Sequence, residues 1–377
     1  MWKVQLFKLN YDEKESKAVK DVVESGWLTM GEKTKEFESQ FSNMLGKDVK
    51  STAVSNGTAA LHMALLGLDI KEGDEVIIPA LTFVADINVV KIVGATPILA
   101  DCGSYDDWNI TAESIEKVIT PKTKALILVH FAGFPCQMDE IMTLCKENNI
   151  AIIEDCAHAP GAKYKNQSCG TFGKYGCFSF FTNKNLSVGE GGMITTCDND
   201  LAQQSQYFRS HGMTALTLDR HKGRAITYDV AQFGLNYRID EMRSSLGLVQ
   251  LAKLENANNQ RKILVERYVK NLKDIQNISI PFLDLANIEP VYHIFPILLN
   301  KGLNRIEIIT KLKEDGIQSS IHYPAFQDFT PFKDIGLNSA PIAEDISTRE
   351  LTLPLYPTMT LEEVNLVCDS LKKALGE

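Results

Sequence analysis

The sequence predicts an α/β fold, a large domain on a mixed or parallel central sheet followed by a smaller C-terminal α/β domain, and three observations predict it. Between about residues 50 and 200, short β-rich apolar runs alternate with polar or helix-forming stretches. A long amphipathic segment, 238–275, then reads as one extended helix of the kind that links two domains. Past it, strand-like and helix-like runs resume over a shorter span.

Taken in order, the strand candidates of the large domain are 51–55, 75–80, 96–102, 124–131, 151–156, 177–181 and 192–197. The intervening segments 59–68 and 134–149 carry apolar residues at helical spacing, and the first of them runs into Gly67 near its end. In the C-terminal part, 291–299 and 319–325 read as strands, and 303–316 and 361–375 as amphipathic helices. The expected division is 1–254, an N-terminal arm with the large domain and the start of the linking helix, and 255–377, the small domain. The arm, to about residue 45, is expected to join the small domain or pack across it.

Composition narrows the function. A chain of 377 residues with 44% hydrophobic residues can bury a large core. A formal net charge of -9 disfavours nucleic acid, which demands a broad basic surface. A small anionic ligand needs only local cations, and the segment Arg209–Arg224 gathers Arg209, Arg220, Lys222 and Arg224, although a solvated loop has the same composition. No apolar run reaches bilayer-spanning length and the first residues lack a leader-like apolar stretch, so the expectation is a cytoplasmic protein without membrane contact. The eight cysteines form no C-x-x-C pair and several sit in apolar runs, which favours buried free thiols over a metal site; no metal is expected.

Three segments carry chemistry. In SNGTAAL, a strand ends at Ser55, Asn56 and Gly57, and Thr58 opens a helix; free amides and the helix dipole suit a phosphate there, and an ordinary N-cap reads the same. In AIIEDCAHAPGA, an apolar strand delivers Glu154 and Asp155 at its carboxyl end, where α/β sheets bind ligands, with His158 one turn on. In GCFSFFTNKNLSVGEGG, an aromatic strand opens into a turn with Ser179, Lys184 and Asn185, and a lysine placed near a sheet interior can condense with an aldehyde once its pKa is lowered. Together these supply a phosphate cradle, a carboxylate for a protonated pyridine nitrogen and an imine-forming lysine, the set that pyridoxal 5'-phosphate (PLP) requires.

Over nearly its whole length the chain resembles the DegT-type sugar aminotransferases, in the PLP fold-type I group of the aspartate aminotransferase superfamily. The matching segments include SGWLTMGEKTKEFESQF, SNGTAAL, GDEVIIPALTFVAD, EDCAHAPGA, SFFTNKNLSVGEGG, FGLNYRIDEMRSSLGLVQL, IHYP and LPLYPTMT. The resemblance implies that Lys184 anchors the cofactor and is the catalytic residue, that Asp155 pairs with the ring nitrogen and that Phe83 stacks on the ring. His158 stands where relatives often have glutamine and is implied to contact the ring oxygen. Gly57, Thr58 and Ser179 are implied to hold the phosphate, with Asn236 reaching in from the partner of a homodimer with shared active sites; core packing and a cap are the plain readings of Phe83 and Asn236.

The implied reaction is transamination of a keto sugar, one linked to a nucleotide, with glutamate or glutamine as donor. Tyr237, His322 and Tyr323 are candidates for holding it. Relatives with histidine in place of the lysine are dehydratases, and Lys184 is retained here. The turn before it reads FFTN, where proline or serine is common. A cyclitol aminotransferase, a sugar dehydratase or a non-catalytic binding homologue are the alternatives on the same fold.

Overall fold

The computed structural model describes residues 2–215, 223 and 226–377. Two helices, α1 (Glu13–Ser25) and α2 (Glu32–Leu45), form the N-terminal arm. The large domain contains β1 (Lys50–Val54), α3 (Gly57–Gly67), β2 (Glu75–Pro79), α4 (Ala85–Ile92), β3 (Thr96–Ala100), β4 (Thr123–Val129) and β5 (Ala151–Asp155). The short strands β6 (Lys163–Tyr164) and β7 (Gln167–Ser168) follow, then β8 (Tyr175–Ser179) and β9 (Gly192–Thr196).

Seven strands make one sheet in the order β1-β9-β8-β5-β4-β2-β3. The pairs β2–β3, β2–β4, β4–β5 and β5–β8 are parallel, and β9 runs antiparallel to both of its neighbours. The sheet is therefore mixed and mostly parallel, as expected. Covering both faces explains why its central strands are apolar throughout: Leu126, Ile127 and Leu128 of β4 are all fully buried. Because β1, β5 and β8 point the same way, their carboxyl ends, Val54, Asp155 and Ser179, meet at one edge.

The linking helix runs unbroken from Glu241 to Leu272. Beyond the short strands β10 (Ile278–Ser279) and β11 (Ile288–Glu289) come β12 (Phe295–Leu299) and β13 (Glu350–Leu353). Leu254 packs in the large-domain core with Phe37, Phe41 and Phe180, whereas Leu264, Val265, Tyr268 and Leu272 belong to a separate core with β12 and β13. The boundary expected at 254/255 falls inside this helix. The arm is tied to it by charge: buried Glu15 accepts from Gln250 and Lys253, both at 2.7 Å, and Glu241 accepts the Gly31, Lys33 and Thr34 amides at 2.8 Å. Val4 reaches further, bridging to Ile317.

Segment 319–325, expected as a strand, is not one. Ser320 makes a single bridge to Thr352, while the His322 amide donates to the Glu350 side chain and Pro324 has no amide to give. The strands beside β12 are β10 and β13, the latter hidden in a sequence whose next residue is Pro354. No helix among the described residues is long and apolar enough to cross a membrane.

Candidate active site

At the shared edge lies a cavity of about 650 Å³. Gly57, Thr58, Phe83, Asp155, His158, Ser179, Lys184, Tyr237, His322 and Tyr323 all line it. Asn236 does not; it is exposed, its backbone bridged to Ser210.

Gly57 and Thr58 open α3, whose cap is Asn56: the carboxamide takes the Ala59 amide at 2.8 Å and the carbonyl takes that of Ala60. The Gly57 and Thr58 amides precede that first intrahelical bond, at the positive end of the helix. Only glycine fits at 57, because a Cβ there would stand 2.9 Å from the Cβ of Ser179. Helix start and strand end are thereby pressed together with a hydroxyl between them.

Strand alternation sends Glu154 and Asp155 to opposite faces. Glu154 turns away from the cavity and is saturated, accepting the amides of Gly170, Phe172 and Gly173 at 2.7 to 2.8 Å and lying 3.1 Å from His130 Nε2. His130 Nδ1 in turn accepts the Cys136 amide, so Nε2 carries the proton that goes to Glu154. His130, Glu154 and Cys156 cluster closely enough to suggest a metal, but these hydrogen bonds already use both imidazole nitrogens and both carboxylate oxygens.

Asp155 faces the cavity and accepts one amide, Ala157 at 2.8 Å. Burial raises its pKa, opposed by that amide and by the charge of Lys184. Lys184 sits in a turn closed by its own amide on the Phe181 carbonyl at 2.9 Å. Burial lowers its amine to about 8, against the pull of Asp155. Asn185 fixes the turn: its amide group donates to Asn258 and to the Val291 carbonyl, and its oxygen accepts from His293 Nδ1 at 3.0 Å.

A second layer holds the far wall. The Ala132 amide donates to His158 Nδ1 at 3.2 Å, so the neutral ring carries its proton on Nε2 and donates it to the Tyr323 oxygen 3.1 Å away. The Tyr323 hydroxyl proton is thus free to turn elsewhere. His322 Nδ1 lies 2.8 Å from the Thr352 hydroxyl, which bonds the fully buried Glu350. Burial holds His322 near 3 and lifts Glu350 to about 8. Tyr237 is held by His62 at 3.0 Å, and the Phe83 ring lies 5.7 Å from that of Tyr323.

Sequence reasoning passed over Asp86, His293, Glu350 and Thr352. His293 carried a signal, a polar residue inside an apolar run. Arg209 is a correction: it is buried and paired with Glu38 and the Ala53 carbonyl, so it is not available to an anion in the cavity. Arg220, Lys222 and Arg224 lie outside the described residues.

Comparison with known proteins decides the family. Residues 10–372 match the DegT/DnrJ/EryC1/StrS aminotransferase family. The chain belongs to it. GDP-perosamine synthase of Escherichia coli O157:H7 is 35% identical over 362 residues, 96% of this chain and 95% of that protein. PseC of Helicobacter pylori, an aminotransferase involved in the biosynthesis of pseudoaminic acid, superposes with a TM-score of 0.90 at 28% identity, covering 100% of this chain and 99% of its own. The PLP form of Spr1654 from Streptococcus pneumoniae gives 0.90 at 30% identity over 99% and 98%. The chain is accordingly a PLP-dependent aminotransferase. The cavity fits that cofactor on its own terms: an enclosed amine of lowered pKa, a buried carboxylate with few donors, an exposed aromatic ring and a helix start that a Cβ would block.

Proposed function

We propose that the enzyme transfers an amino group to a keto sugar, one linked to a nucleotide, with glutamate or glutamine as the donor. The observation that carries this reading is Lys184 and Asp155 in one cavity, close enough that the charge of each shifts the other. The similarity to GDP-perosamine synthase, whose name carries a nucleotide, supports the sugar and its handle.

Lys184 would anchor the cofactor, Asp155 would pair with its ring nitrogen, Gly57, Thr58 and Ser179 would hold its phosphate, and Phe83 would cover the ring. When bound, PLP supplies an electron sink for the carbon that loses a proton. The Lys184 amine, near 8, is basic enough to take that proton and acidic enough to return it, which suits one residue to both half-reactions. Tyr323, its oxygen already accepting from His158, has a proton to offer a substrate oxygen. His322, kept neutral by burial, and Tyr237 complete the candidate substrate wall.

The working unit in this reading is a homodimer with shared sites. Phe83, Ile92 and Phe181 line the cavity yet are 53%, 65% and 44% exposed, an apolar rim that supports a covering partner, and exposed Asn236 would serve the partner's phosphate. All eight cysteines are unpaired, which supports the reducing cytoplasm.

The test is the visible absorption of the protein with PLP, before and after glutamate or glutamine, for the wild type and Lys184→Ala. A band that needs Lys184 and is discharged by either donor is expected, followed by amine transfer to a nucleotide-linked keto sugar. A band indifferent to both donors would overturn the donor assignment, and its absence in the wild type would overturn the role of Lys184.

A further inference from the structure

Asp86, on α4, is fully buried, and its side chain interacts with that of Asp155. One of its oxygens, Oδ2, accepts the Thr82 hydroxyl at 2.6 Å. The other, Oδ1, is buried without a donor among the described residues, and the carboxyl of Asp155 lies within hydrogen-bonding reach. Two ionised carboxylates are both acceptors and repel, so such a contact is stable only when one of them holds a proton. The surroundings say which one. Asp155 has the Ala157 amide and the charge of Lys184 to favour its ionised form; Asp86 has one hydroxyl.

We propose that Asp86 is a protonated positioning residue that donates to Asp155, so that the pair shares one negative charge and presents it to the cationic ring of the cofactor. The ionised Asp155 then keeps its charge and its aim in a cavity where burial favours the neutral form. This rests on the proposed pairing of Asp155 with the ring nitrogen, whereas the shared proton itself belongs to the protein without cofactor.

The titratable groups that feel Asp86 are Asp155 from β5, Cys177 from β8 and Tyr323; Lys184 and His130 face Asp155. Burial pushes the Cys177 thiol and the Tyr323 phenol upward, so neither ionises between pH 5 and 7. Burial also raises Asp86 well above its ordinary value, with the charge of Asp155 second. A carboxyl whose pKa is higher in the folded than in the unfolded chain binds more protons when folded. Its contribution is complete below the unfolded value of 3.8 and is lost as pH climbs toward the folded one.

Asp86→Asn keeps an acceptor for Thr82 and a donor for Asp155 but removes the titration. The full chain without cofactor is melted between pH 5 and 7 as wild type and as Asp86→Asn. The advantage of the variant is expected to grow with pH, and a constant difference would overturn the shared proton. With PLP, Asp86→Asn is expected to bind within about threefold of wild type, and Asp86→Ala about tenfold to hundredfold more weakly, the cost of one hydrogen bond to a charged group. If Asp86→Asn binds as weakly as Asp86→Ala, an ionised Asp86 is needed and the proposal fails. If the pH dependence holds but Asp86→Ala binds PLP as wild type does, the proton is shared yet Asp155 is not the group that pairs with the ring, and the functional reading fails instead.

Discussion

Glu154 and Asp155 leave one strand a single residue apart, and the two faces they enter treat them in opposite ways. Behind the sheet, Glu154 meets three backbone amides and an imidazole, every one supplied by the fold. In front, Asp155 meets one amide, a second carboxyl and a lysine. A buried carboxylate with all its acceptor capacity used is an anchor, here for the loop through Gly170 and Gly173. One left short of donors in a cavity is costly to the fold and is useful only to something that arrives later.

Exchanging the charges separately is the strongest way to break this contrast. Asp155→Asn is expected to cut turnover by at least about hundredfold, the scale set by losing one charged partner of a reacting group, while the melting temperature of the cofactor-free chain holds or rises. Glu154→Ala is expected to do the reverse in kind, costing about 3 kcal/mol or more by stranding three buried amides and His130. Steady-state rates with PLP in excess, set beside thermal melts, separate the two outcomes. Equal loss of stability from both would mean that the faces do not differ.

The sharpest legible features were those in which local sequence and global position agree. The alternation of strands and helices, the carboxyl-end placement of Asp155 and the glycine before Thr58 could be read because each depends on its own neighbours. Asp86 could not, since nothing in TFVADINVV says that its side chain will meet that of Asp155, and the same holds for Glu350 and Thr352 meeting His322. The strand at 350–353 was missed for a plain reason: the prolines that follow it resemble a loop, and only pairing with β12 reveals it. Arg209 misled in the other direction, because a cation in a basic stretch looks solvated until Glu38, distant in sequence, is found beside it.

Lys184 sharpens the comparison through pH. With burial holding its amine at about 8, the rate at which the cofactor-free chain develops the lysine-dependent absorption band should rise about tenfold per pH unit on the acid side and level off above about 8. Stopped-flow mixing with PLP at fixed ionic strength measures it. A plateau delayed to near the ordinary lysine value of 10.5 would mean that the front face does not desolvate the amine at all.

The smallest effect concerns the third strand end of the cavity, and it is steric. At Gly57 an added methyl would stand 2.9 Å from the Cβ of Ser179 and 3.3 Å from its Cα, and backbone yields less readily than the tip of a flexible side chain. Gly57→Ala should therefore spread α3 from β8 by a few tenths of an ångström and weaken PLP about tenfold, with little change in the pH behaviour of Lys184, whose turn is fixed separately by Asn185. Ser179→Gly alone loses a hydroxyl, but in the double variant it also removes the obstructing Cβ. The pair should bind more tightly than the two single losses multiplied together, because the second substitution relieves what the first created. Strict multiplication of the two losses, read from PLP titrations, would show that the helix start and the strand end act on the phosphate independently, and that the closeness of Gly57 to Ser179 is packing alone.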